Sequence, residues 1–145
     1  MSYYLDHEKL EVYQFAIRFV VLADEIVENL PRGRAYLADQ LRRAGSSIAL
    51  NIAEGAGEFA PTEKVRFYRM AKRSATECSS ILDILQHLQL IEEQPFSRAR
   101  EVLVRTVAML IRMIQKLGAN RGNQMPRPSQ ICGAGEPEKK LATAS

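Results

Sequence analysis

Residues 40–58 read QLRRAGSSIALNIAEGAGE. Leu41, Ala44, Ile48 and Ile52 recur at steps of three and four, the spacing of one face of an α-helix. Setting successive residues 100° apart places Leu37, Leu41, Ala44, Ile48 and Ile52 in one arc. Ala38, Gly45, Ala49, Ala53 and Ala56 fill an adjoining arc of small residues. Together they take up close to half the circumference, wider than the ~100° stripe that one core requires. Glycine inside a helix costs ~1 kcal/mol relative to alanine, so Gly45 predicts a tight approach by another backbone. That backbone belongs either to the same bundle or to another subunit. Leu50 projects to a third side, beside Arg43 and Glu54, and points to a subunit contact on this helix. The expected interface residues are Gly45, Ala49, Leu50 and Ala53. Asn51 lies at the core margin, where a partnered structural amide is expected.

The same period runs through three further segments. The first carries Val12, Ala16, Phe19, Ala23, Ile26 and Leu30, widened by Tyr13, Ile17, Val20 and Val27, and stops at Pro31 and Gly33. The third begins near Pro61, a residue suited to a first helical turn, and carries Phe67, Ala71, Ser74, Cys78, Ile81, Leu85 and Leu88. Pro95 opens the fourth, with Phe96, Ala99, Leu103, Thr106, Leu110, Met113 and Leu117. Alternation with period two is missing over any useful length. Short connections make neighbouring helices antiparallel, so the predicted fold is all-α, an up-down-up-down four-helix bundle. The bundle spans residues 1–117. Periodicity stops at Gly118, and residues 118–145, rich in Gly and Pro, read as a flexible, disordered tail.

Composition narrows the function. A chain of 145 residues with 46% apolar and 26% charged residues fits one globular domain. No apolar run approaches the ~20 residues of a bilayer span, and the N-terminus MSYYLDHEKLEV lacks a secretion signal. A cytoplasmic protein without a membrane partner is expected. Cys78 falls within a helical apolar pattern and Cys132 within the tail, so a disulfide is not expected. His7 and His87 lie far apart without a second ligand at metal spacing, so no metal site is expected. Carboxylates, histidines and cysteines do not converge, and Gly55 and Gly57 follow a helix rather than a strand, which reads as a turn. No catalytic residue and no cofactor follow from the sequence.

Charge is unevenly spread. Residues 6–30 hold two basic and six acidic side chains, and residues 31–145 hold 18 and 11. The densest basic patch is EKVRFYRMAKRSATE, where Arg66, Arg69 and Arg73 line one helix face with Lys72 beside them. Like charges so spaced repel by a few tenths of a kcal/mol per pair unless something anionic offsets them. Glu63 and Glu77 are spaced to reach Arg66 and Arg73, and Asp6, Glu8 and Glu11 lie at the same end of an antiparallel bundle. Phosphate is the other candidate. Arg42 and Arg43 form a second patch, with Asp39 spaced to pair with both. A helix-turn-helix, zinc-finger or aromatic-basic signature is missing.

Leu41-Arg42-Arg43-Ala44, Ser47-Ile48 and Asn51-Ile52-Ala53-Glu54-Gly55 resemble the signature of the four-helix-bundle proteins encoded in intervening sequences of bacterial large-subunit ribosomal RNA genes. Leu10-Glu11-Val12-Tyr13 and Arg66-Phe67-Tyr68-Arg69-Met70-Ala71 are similar to that family as well, and the likeness covers about residues 7–117. Asn51, Glu54 and Gly55 are its structural motif positions. Where the family often has proline, this chain has Ala49; where a basic residue is common, it has Glu58. The resemblance implies a cyclic homopentamer with a basic surface that contacts RNA or DNA. In a related branch, the accessory variability determinant of diversity-generating retroelements, the partner is a reverse transcriptase. Nucleic acid would then meet Arg42, Arg43, Arg66, Arg69, Lys72 and Arg73. The alternative is a purely structural or protein-interaction module whose arginines serve subunit contacts.

Overall fold

The computed structural model describes residues 3–122, with side chains through Ala119. It contains α1 (Glu11–Glu28), α2 (Ala35–Gly57), α3 (Pro61–His87) and α4 (Glu93–Gly122). Among the described residues there is no strand. Each helix packs on two others, in the cyclic order α1, α2, α3, α4. Contact registers run in opposite directions across neighbours. Gly45 meets Phe19 and Ala23, while Arg42 meets Asp24 and Glu28. Gly55 meets Phe67 and Tyr68, while Ser47 meets Ser74.

Local chemistry sets the helix ends. Asn29 closes α1 by donating its side-chain amide to the Glu25 carbonyl (2.8 Å), and Gly33 supplies the φ of +90° that the α1–α2 turn needs. Pro61 occupies the first turn of α3, where its missing N–H would have had no helical acceptor. Lys64 reaches back from α3 and donates to the Gly55 and Ala56 carbonyls (3.2 and 2.9 Å), which satisfies the exposed C-terminal acceptors of α2. At the end of α3, the Gln89 N–H binds the Gln86 carbonyl and the Leu90 N–H binds the Leu85 carbonyl (3.0 and 2.9 Å). This is a Schellman closure with glutamine, not glycine, in the left-handed position.

One core fills the centre. Phe19, Leu41, Ile48, Ile52, Cys78, Leu82, Leu85 and Leu110 are fully buried, and Thr106 satisfies its buried hydroxyl by donating to the Val102 carbonyl (2.7 Å). The predicted rows needed three corrections. Ile17 faces solvent, and Phe15 is buried instead, its ring flanked by the Arg18 and Arg105 guanidiniums at 4.9 and 5.8 Å. In α3 the core stripe takes in Tyr68, Ala75 and Leu82 and leaves Leu88 outside. Helix α4 continues to Gly122, past the expected boundary at residue 117. The remainder of the expected tail, with Cys132, lies outside the described residues. No helix among the described residues is long and apolar enough to cross a membrane.

Candidate nucleic-acid and assembly surfaces

The small-residue arc of α2 turns out to serve the bundle itself. Gly45 is buried against Phe19 and Ala23 of α1, and Ala49 is buried in the core. Neither can meet a sister copy, which corrects the expected interface at these two positions. The approach at Gly45 is not tight either: a Cβ there would lie 3.4 Å from Phe19 Cε1, an ordinary contact. The close approach is at Gly55, where a Cβ would lie 2.7 Å from Tyr68 Cε1 and 3.0 Å from Phe67 Cβ. Gly55 therefore does more than end a helix. Ala53 is half-buried, and Leu50 is 62% exposed.

A polar seam joins α2 to α3. The Asn51 side-chain amide donates to the Ser47 carbonyl (2.8 Å) and to Ser47 Oγ (3.0 Å), and the Ser74 hydroxyl donates to Ser47 Oγ (2.9 Å). Asn51 is thus the partnered structural amide that its position predicted. Two shallow grooves meet at this seam. One is bordered by Arg43, Leu50 and Glu54, the other by Met70, Arg73 and Glu77, and both touch Ser47 and Asn51.

The six predicted basic residues divide into two groups. Arg42 crosses to α1 and pairs with Glu28 and Asp24 (3.1 and 3.5 Å), not with Asp39. Arg66 pairs with Glu63 (2.9 Å) and lies over the Phe67 ring. Among the described residues Arg43, Arg69, Lys72 and Arg73 form no ion pair, although Asp39 and Glu77 stand at the right spacing. The Asp6, Glu8 and Glu11 carboxylates do not reach them; Glu8 accepts the Leu5 N–H instead (2.8 Å). Arg43 and Arg73 flank the seam and Arg69 lies on the outer face of α3. Lys72, two residues from the α2-facing Ser74, falls on the α4 flank.

A family model described as 23S rRNA-intervening sequence protein matches residues 8–112. The chain belongs to the 23S rRNA-intervening sequence protein family. This agrees with the resemblance carried by residues 41–55. A solved crystal structure from Bacteroides thetaiotaomicron VPI-5482, described as a protein with unknown function from the S23 ribosomal protein family, has a TM-score of 0.67 to this chain. It shares 20% identity, covering 71% of this chain and 97% of that one. At such identity the likeness bears on the fold alone. A comparison with curated proteins gives no match.

For this member of the intervening-sequence family, the motif positions acquire physical roles. Asn51 holds Ser47, one turn earlier on α2, where Ser47 accepts from Ser74 of α3, and Gly55 makes room for Tyr68. Glu54 is exposed and borders the Arg43 groove. Sequence reading missed a further basic stripe: Arg98, Arg105 and Arg112 recur every seven residues along the outside of α4. The seven-residue spacing was its signal. Arg105 is held by Glu101 (3.2 Å). A concavity of ≈ 590 Å³ at the opposite end of the bundle, floored by Leu22, Ile26, Leu90 and Pro95, contains none of the predicted site residues. Cys78 offers no reactive thiol: burial first, and the Glu77 charge second, push it up to about 12.

Proposed function

We propose that this protein is a non-enzymatic, cytoplasmic homo-oligomer that contacts a nucleic-acid backbone through the α2–α3 side of its bundle, as an adaptor for a nucleic-acid enzyme such as a reverse transcriptase. The observation that carries this reading is the pair of arginines that flank the α2–α3 seam, Arg43 and Arg73, neither of which forms an ion pair among the described residues. Nearby carboxylates are within spacing yet leave these charges to solvent, where phosphate can take them. The net charge of +3 is modest for one chain, but cyclic repetition, pentameric by resemblance, multiplies the field of a patch. The absence of a base-reading motif fits contact with phosphate rather than with base edges. Titration of structured RNA and of duplex DNA across rising salt tests it: affinity falls steeply as salt rises. Binding that is absent at about 50 mM salt, or indifferent to salt, contradicts it.

A second reading has its own support. Leu50 and Met70 are exposed beside the same grooves, and an apolar centre within a mixed-charge rim is how protein contacts are built. Under that reading, charge reversal at Arg43 and Arg73 dissolves the oligomer; under the first it abolishes nucleic-acid binding and leaves the oligomer intact.

A further inference from the structure

The bundle is electrostatically two-sided. Residues 3–60, which hold α1 and α2, carry six basic and nine acidic side chains, a net −3; residues 61–122, which hold α3 and α4, carry eleven and six, a net +5. Each half also exposes an apolar strip. On α1, Ile17 and Val21 are 40% and 53% exposed one turn apart, and they are followed by Glu25 and by Asp24 and Glu28, which hold Arg42 yet stay exposed to a second cation. On α4, Val104 and Ile111 are 52% and 36% exposed, with exposed Ala108 between them. Arg98 borders a cavity with Leu22 and Glu25 of α1, and Arg105 stacks on Phe15 of α1. Val104, Ala108 and Ile111 are therefore turned to the other flank of α4, toward α3. Counting outward from the Leu88–Glu92 connection sets them alongside Thr76, Lys72 and Arg69, with Arg100 one turn before Val104.

We infer that the α1 strip of one copy docks on the α3–α4 face of the next, joining unlike surfaces head to tail. This rests on the homo-oligomer reading above and names its contact. Ile17 and Val21 cover Val104, Ala108 and Ile111, while the acidic rim of α1 meets Lys72, Arg69 and Arg100. Charge complementarity sets the orientation, because two α1 faces or two α3–α4 faces would repel. A contact between unlike surfaces leaves one of each unused on every copy, and so it propagates until a ring closes. It also leaves the Arg43–Arg73 seam uncovered.

Val21→Glu and Val104→Glu test this, since each changes an exposed position on a different side of the contact. Light scattering gives the mass of the wild type, of each variant, and of an equimolar mixture; circular dichroism confirms that helix content is unchanged. The expected result is an assembled wild type, two variants that each fall to the 16.3 kDa monomer, and a mixture that forms a dimer and nothing larger. The dimer forms because each variant keeps the surface that the other lacks. Variants that retain the wild-type mass, or a mixture that stays monomeric, overturn the head-to-tail contact while the homo-oligomer stands. A monomeric wild type instead overturns the homo-oligomer reading itself and leaves these faces to a different partner.

Discussion

The Tyr68 ring packs so close to Gly55 that a methyl group at Gly55 would sit 2.7 Å from it. The ring is buried, and Phe67 Cβ closes the other side at 3.0 Å, so neither neighbour can yield cheaply. Gly55→Ala is expected to lower stability by about 1–3 kcal/mol, the cost of overpacking a filled site. Gly45→Ala goes the other way. Its Cβ finds ordinary contact with Phe19, and the gain in helix propensity raises stability by about 0.5–1 kcal/mol. Urea melts of the two variants check the opposite signs.

The contrast shows what the sequence made legible. Apolar spacing located all four helices, and Pro31, Gly33 and Pro61 located breaks, because local sterics act over a few residues. Gly45 and Gly55 could not be ranked that way, since each depends on which ring a different helix delivers. The arginines divide similarly. Glu63 and Arg66 could be paired from spacing, whereas Arg42 chose Asp24 and Glu28 across the interface. The end of α4 was misread because Gly118 interrupts the apolar pattern without interrupting the helix. Ile17 fitted the periodic row yet faces outward, and Phe15 is flanked by arginine guanidiniums from two helices, which a count of apolar residues does not register.

Lys64 should matter more than an exposed lysine. Its ammonium caps the end of α2 through two carbonyls, and it is half-buried. Lys64→Met keeps the stem and removes the donors, and is expected to cost about 1–2 kcal/mol. Amide exchange should accelerate first at residues 55–58.

Gln89 holds φ at +57°, a conformation that costs a residue with a Cβ about 1–2 kcal/mol. Gln89→Gly is expected to raise stability by about 1 kcal/mol, seen as an upward shift of the thermal midpoint. A loss would mean that the glutamine side chain, which borders the concavity beside Leu90, contributes more than the backbone strain costs.

Alkaline pH should expose Cys78. The folded state keeps its thiol protonated up to about 12, against an ordinary 9.0, while the unfolded chain sheds that proton as pH passes 9.0. Stability present below that point is therefore lost as pH rises toward 12, by about 1.4 kcal/mol per pH unit. Burial also raises Tyr68 from its ordinary 10.0, and that contribution is common to both proteins in the comparison. Cys78→Ala should show a shallower alkaline decline than the wild type in melts taken from about pH 8 to 11.

The salt dependence of RNA binding, measured arginine by arginine, shows whether the seam arginines contact phosphate. Each phosphate contact contributes about −0.9 to the slope of log affinity against log salt on a duplex and about −0.7 on a single strand. Arg43→Gln and Arg73→Gln, which remove cations without protein partners, are each expected to flatten the slope by about one contact. Arg42→Gln, whose charge is already held by Asp24 and Glu28, should leave it unchanged. An unchanged slope in the first two variants, or an equal loss in all three, would contradict the account.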